Sequence, residues 1–248
     1  MSTKQQVQEL APLRIRVLGR ITVHRPDGSS VRGALWGRTK VRCLFALLLM
    51  HEHHYLHRDE IIQELWPDIP RKAALANLNN TVYSLRKCLE PDLESGSASQ
   101  YICYQRGGYY ALSDHQPRWL DMCCFQALLR EARTTTAILE PKPLYEKAIG
   151  LYRGDLLTDL DPIFARFEYE RSRLRMLYCE AMENLAILHV YEEQFDEAMT
   201  LYLKILETYP GRDTVATRLI HLSLQQDNLP LKLAIINLFQ KIHIESPV

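Results

Sequence analysis

The side chains best placed for chemistry in this 248-residue sequence lie between about Arg71 and Leu89. Leu75, Leu78, Val82, Leu85 and Leu89 recur there at steps of three and four, which predicts a helix with one narrow apolar stripe. At 100° per residue the opposite side carries Ala73, Ala76, Asn77, Asn80, Tyr83, Ser84 and Lys87. Such a face is short and polar, with one positive charge and no negative one. A helix that merely meets water more often mixes Glu with Lys. Amide, hydroxyl and ammonium groups on a slim helix can hydrogen-bond base edges or phosphate oxygens in a DNA major groove. Asn pairs bidentately with adenine, so the pattern predicts at least one A·T position in each half-site.

Other basic residues could extend that chemistry. Arg71 and Lys72 open the same helix, and Arg38, Lys40 and Arg42 stand near the start of an earlier one, whose positive end would help to clamp phosphate. Arg106 sits in Gln105-Arg106-Gly107-Gly108, between Tyr101-Ile102-Cys103-Tyr104 and Tyr109-Tyr110-Ala111-Leu112. That reads as a strand, a tight turn and a strand, with Arg106 at the tip for an adjacent minor groove or for backbone phosphate. The histidines of His51-Glu52-His53-His54, with His57, invite a metal site, but their spacing is not HExxH and no cysteine completes a set. Cys123 and Cys124 read as packing residues at a helix start. No GxSxG, no Gly-rich nucleotide loop and no Walker-type GxxxxGK[ST] occurs, so neither catalysis nor a cofactor is expected.

The elements that must position these residues follow from periodicity. Leu13, Ile15 and Val17 alternate with Arg14, Arg16 and Leu18; Ile21–His24 and Val31 flank the turn sequence Arg25-Pro26-Asp27-Gly28-Ser29. A small antiparallel sheet is predicted. From Thr39 the period becomes 3.6, with Val41, Leu44, Phe45, Leu48 and Leu49 on one apolar face. A second helix opens at Arg58-Asp59, with Asp59 as its cap, buries Ile61, Ile62, Leu65 and Trp66, and closes at Pro67. The third is the polar-faced helix, followed by a Ser/Gly-rich linker over 94–99 and the hairpin. Sheet, three helices and hairpin make a winged helix-turn-helix.

Composition sets the bounds. Hydrophobic residues make up 47% and charged residues 24%, the balance of an ordinary globular protein. The longest apolar run, Cys43–Met50, is far too short to span a membrane, and the N-terminus lacks an apolar signal region. The six cysteines form no CxxC pair, so a reducing, cytoplasmic compartment is expected. Thirty basic and thirty acidic residues cancel overall, but up to Leu112 there are 15 against 10 (+5), and beyond it 15 against 20 (−5). Such asymmetry fits a nucleic-acid-facing part joined to something else.

Leu44–Leu49, Asp59–Pro67, Val82–Lys87 and Gly108–Leu112 resemble the DNA-binding half of the SARP family, the Streptomyces antibiotic regulatory proteins, whose winged helix is similar to that of OmpR-type response regulators. The resemblance continues through Trp119–Met122, Phe125, Leu128-Leu129 and Ala132-Arg133. Ala148–Leu157 and then Glu168–Leu174 are similar to later motifs of the family's bacterial transcriptional activator domain. It implies an α+β winged helix over 13–113, after a tail of 1–12, and an all-α domain over 114–248 built on tetratricopeptide-like helix pairs. The repeat also shows in the residues. Cys179–Pro210 fits one such frame, with Leu185, Ala186, Phe195, Ala198, Tyr202 and Pro210 at the expected offsets. Ala148/Tyr152 and Ala234/Leu238 repeat its spacing of four, and the tyrosines at 145, 152, 169, 178, 191 and 202 read as packing residues.

By the same resemblance the protein activates transcription from promoter repeats on double-stranded DNA. Its helical domain would serve dimerisation and touch RNA polymerase. The −5 charge of that half would keep it off DNA and favour basic polymerase surfaces. Zero net charge implies modest binding by one copy, hence a homodimer on repeated sites. The competing reading is a tetratricopeptide-like scaffold or signalling module whose winged helix docks a protein instead of DNA.

Overall fold

A computed structural model describes residues 12–51, 55–94, 96–137, 139–160, 167–209 and 211–225. The N-terminal tail up to residue 11, His53 and His54, Pro210 and the Ala234/Leu238 copy lie outside the described residues. The chain divides into two compact units: Met1–Cys123 with Gly154–Glu170, and Cys124–Arg153 with Arg171–Val248.

The first unit begins with β1 (Leu13–Arg16) and β2 (Thr22–His24), which pair antiparallel with Ile15 opposite Val23. The Asp27 carboxylate accepts the Ser29 amide at 2.8 Å and shapes the turn that leads His24 to bridge Ser30. A third strand, β6 (Arg118–Leu120), joins β1 in parallel and makes the sheet mixed, in the order β2-β1-β6. Only a three-residue strand after the hairpin accomplishes this, too short for periodicity to mark.

Residues 154–160 complete that sheet from beyond position 120. The Gly19 amide donates to the Asp155 carbonyl, Leu157 N–H to Val17 O and Thr158 N–H to Gly19 O, at 2.9–3.0 Å. Leu156 and Leu157 are fully buried. Asp159 accepts the Ile21 amide at 2.9 Å and pairs with Arg42 at 2.5 Å. At the end of β1, the buried Asp121 carboxylate accepts the amides of Val17 (2.8 Å) and Leu18 (3.2 Å).

Four helices follow in the same unit: α1 (Ala34–Gly37), α2 (Thr39–Met50), α3 (Arg58–Leu65) and α4 (Arg71–Leu89). α2 is buried nearly all round, Cys43, Ala46 and Leu47 included, rather than along one face as its leading apolar positions predict. α1, α3, α4 and the wing all contact it, so from Cys43 to Leu49 no side is left for water. Trp36 of α1 meets Phe45 edge-on at 5.7 Å. Asp59 does not cap α3: the cap is His57, whose Nδ1 accepts the Asp59 amide. The wing is β4 (Ile102–Gln105) and β5 (Tyr109–Leu112), and the two-residue β3 (Leu56–His57) adds on the far side of β5.

The second unit is helical. It comprises most of α5 (Asp121–Thr134) and of α7 (Glu168–Tyr191), with α6 (Lys142–Leu151), α8 (Phe195–Thr208) and α9 (Asp213–Gln225). Ala148, Ala186 and Ala198 are fully buried, which lets helices approach closely. Tyr152 stacks on Tyr178 at 4.1 Å and lies 5.7 Å from Phe125, while Tyr145 and Tyr202 are buried too. Tyr169 and Tyr191 are the exceptions to the packing expectation: both are mostly exposed, on the outward side of α7. The α7–α8 turn spends three residues, with Glu193 in the left-handed region and the Gln194 amide donating back to His189 O.

Candidate nucleic-acid interface

α4 starts at Pro70, whose carbonyl receives the Ala73 and Ala74 amides, and stops before Pro91. It holds Arg71, Lys72, Arg86 and Lys87 and no acidic residue. Its exposed residues are Arg71, Lys72, Ala73, Ala76, Asn79, Asn80 and Tyr83, with Asn77, Arg86 and Lys87 half-buried at the margins. Compared with the face drawn from the sequence, the open side is turned by roughly 40°, less than half a residue step. Asn79 is thereby gained and Ser84 lost. Ser84 is 3% exposed, its hydroxyl donates to the Asn80 carbonyl at 2.8 Å, and Arg38 reaches it from α2 at 3.5 Å. A Ser so committed offers nothing to a base. Lys87 is also engaged, its ammonium donating to the carbonyls of Pro91 and Leu93 at 3.1 and 2.5 Å, so it closes the end of α4.

The other predicted positions divide similarly. Arg38 is exposed and Lys40 half-buried where α2 starts, a helix end with no side-chain cap and no acid in its first turn. With Asn77 and Asn80 they line one hollow between α2 and α4. The positive helix end and the two cations suit an anion there. Arg42 instead spends its guanidinium on Asp159. Arg71 donates to the Asp59 carboxylate at 3.0 and 3.1 Å, an exposed pair, and Lys72 is open.

Arg106 occupies the exposed wing tip, ahead of Gly107 and Gly108, both at positive φ. His57 ties this turn to α3. With Nδ1 accepting the Asp59 amide, Nε2–H is the donor to Gly107 O at 3.1 Å, and the ring packs edge-on to Tyr109 at 4.9 Å. Arg58 N–H donates to Gly108 O at 2.7 Å. A Cβ at Gly108 would fall 2.7 Å from Arg58 Cδ, so only glycine lets the arginine stem cross there.

A notch opens between α4 and the wing, and Arg58 and Arg86 lie in it. Sequence reasoning passed over both. Arg86 falls just outside the face drawn at 100° per residue, and Arg58 reads as an ordinary first-turn residue. The glycine pair in the wing is the signal that something crosses it. Burial pushes the nearby Tyr110 phenol up, as does Tyr104, against the pull of Arg86 and Arg58, so its hydroxyl stays a donor. Among the described residues no three His, Cys, Asp or Glu side chains gather to hold a metal, and no helix is long and apolar enough to cross a membrane.

Residues 34–112 match the model of the "Transcriptional regulatory protein, C terminal" family, and residues 120–228 that of the bacterial transcriptional activator domain. The regulatory protein AfsR of Streptomyces coelicolor is 25% identical over 209 residues, 83% of this chain and 20% of that protein. DnrI of Streptomyces peucetius is 28% identical over 156 residues, 60% of this chain and 54% of that protein. The chain thus carries, in order, the two regulatory domains of the SARP family that it resembles. The chain spans about a fifth of the AfsR proteins it matches, that of Streptomyces griseus included (26% identity, 19% of its length). Its fold is shared by Mycobacterium tuberculosis EmbR, solved with a low-affinity phosphopeptide, at a TM-score of 0.67 and 21% identity over 95% of this chain and 66% of that one. Both family models describe transcriptional regulation and neither describes an enzyme.

Proposed function

We propose that this protein is a SARP-type, sequence-specific activator that reads promoter repeats on double-stranded DNA with α4 and the wing. The observation that carries the reading is the open face of α4. It presents Lys72, Ala73, Ala76, Asn79, Asn80 and Tyr83 on a helix with four cations and no carboxylate, beside an Arg-tipped hairpin. The two alanines let the helix sit deep in the major groove, and Asn80 and Asn79 offer amides to base edges. Lys72, Arg38 and Lys40 answer phosphates, with Asn77 bordering the same hollow, and Arg106 reaches the minor groove or its backbone. Arg71, shared with Asp59, contributes once it exchanges that carboxylate for a phosphate; Tyr83 borders the sugar edge.

Binding as a homodimer on repeated sites would compensate for the modest affinity of one neutral copy, and the acidic half would contact RNA polymerase in the cytoplasm. Charge reversal along the acidic helices is expected to abolish activation while leaving DNA affinity intact. Selection of the full chain against random duplexes, followed by salt titration on the winner and a scrambled control, tests the central claim. A spaced repeat preferred by about 10³ or more supports it. No enrichment together with no salt-dependent binding overturns it in favour of a protein-docking scaffold.

A further inference from the structure

The notch between α4 and the wing is built for an anion. Arg58 from α3 and Arg86 from α4 enter it beside Asn79, Tyr83, Tyr104 and Tyr110, and no carboxylate lines it. One Arg86 nitrogen donates to the Ile102 carbonyl at 3.2 Å, which fixes the side chain to the base of the wing. Arg58 is fixed by its stem crossing Gly108 and by its amide donating to the Gly108 carbonyl. Yet Nε of both arginines is buried with no hydrogen-bond partner. Both side chains are nevertheless only half-buried, and with no carboxylate lining the notch their remaining guanidinium donors suit a charged oxygen ligand. Tyr83 and Tyr104 are more than half exposed at the rim, where their rings could rest on sugars.

The position of the notch identifies the anion. If α4 enters a major groove and the hairpin the adjacent minor groove, the sugar-phosphate strand separating the grooves must pass between them. Resting on the DNA-binding reading above, we infer that the notch seats one backbone phosphodiester of that strand, gripped by Arg86 and Arg58. The seat is indifferent to sequence. It sets the depth and register at which Asn80 meets the bases, which is how phosphate contacts generally serve base readout.

The test uses the full chain, fluorescence anisotropy, and two duplexes: the winner of the selection and its scramble. Arg86→Gln and Arg58→Gln are each expected to reduce the slope of log Kd against log salt by about 0.9, the value for one lost phosphate contact. Both duplexes should weaken by the same factor, leaving the preference between them unchanged. Arg16→Gln, which removes an exposed charge on β1 instead, should leave the slope as it was.

Single neutral methylphosphonate linkages, scanned along the winner, then locate the contact. One position should weaken the wild-type protein and cost Arg86→Gln nothing further. Unchanged slopes in both Gln variants overturn the proposal, as do fully additive losses from Arg86→Gln and the methylphosphonate at every position. If Arg86→Gln melts early, Arg86→Lys serves: a folded Lys variant that keeps the wild-type slope supports a phosphate seat, and one that shows the lower slope refutes it. Wild-type protein without salt-dependent binding to any duplex would instead remove the DNA reading itself, which separates the two failures.

Discussion

Replacing Asn80 by Ala isolates base reading from everything else this helix does. The Asn80 side chain is exposed, and the hydrogen bond from the Ser84 hydroxyl lands on the backbone carbonyl of Asn80, which Ala retains. Truncation therefore removes no contact that holds α4, and Ala gains about 0.5 kcal/mol of helix propensity over Asn. The variant should melt at or slightly above the wild-type temperature. On the selected duplex it should lose one bidentate amide–adenine contact, about 1–3 kcal/mol, or roughly 5- to 150-fold in Kd. On the scrambled duplex, where that contact is not made, affinity should be nearly unchanged. Asn80→Asp supplies the opposite control: its carboxylate faces phosphates and should weaken both duplexes. Competition anisotropy with matched salt reads all four numbers. Equal loss for Asn80→Ala on both duplexes, or no loss on the selected one, would refute the assignment of Asn80 as a base reader.

Other consequences are measurable without an operator. Asp121→Asn sets an amide NH₂ among the Val17 and Leu18 amides that the carboxylate now accepts. It should cost about 2–3 kcal/mol and lower the melting midpoint by roughly 5–10 °C; a midpoint within a degree of wild type would discount that pair of bonds. Gly108→Ala combines a φ of +96° with a Cβ 2.7 Å from Arg58 Cδ, so a loss of about 1–3 kcal/mol is expected by urea denaturation, and an unchanged midpoint would contradict it. In native alkylation followed by mass spectrometry, exposed Cys123 should react first. Cys88 should stay unmodified, because it is buried and burial raises its thiol pKa; early labelling of Cys88 would show that α4 opens readily.

Much of the first unit was legible because its signals are local. The Arg71–Leu89 helix agrees at both ends with the reading, since an apolar 3.6 period and Pro91 act within a few residues. The hairpin turn followed from Gly107-Gly108, both at positive φ. What escaped depends on distant partners. Ser84 looks like a surface Ser until α2 places Arg38 beside it. Asp59 looks like a cap until the pairing of β3 with the wing brings the His57 ring to the helix start. Leu156, Leu157 and Asp159 look like part of a helical domain, and no periodicity reveals that their backbone is an edge for residues 17–21. Arg58 and Arg86 escaped for a similar reason, since the notch exists only once helix and hairpin are assembled.

The return of residues 154–160 to the first unit also governs when that unit can form. A winged helix encoded in one stretch could fold on the ribosome as soon as its hairpin emerged. Here the sheet of β1, β2 and β6 lacks Leu156, Leu157 and the Asp159 carboxylate until α6 has been translated. Prematurely terminated chains that end between the hairpin and residue 154 carry the whole of α4 and the wing, but not the segment that bonds residues 17–21 and pairs with Arg42 of α2. If the chain acts as proposed above, such fragments would compete weakly for promoter sites.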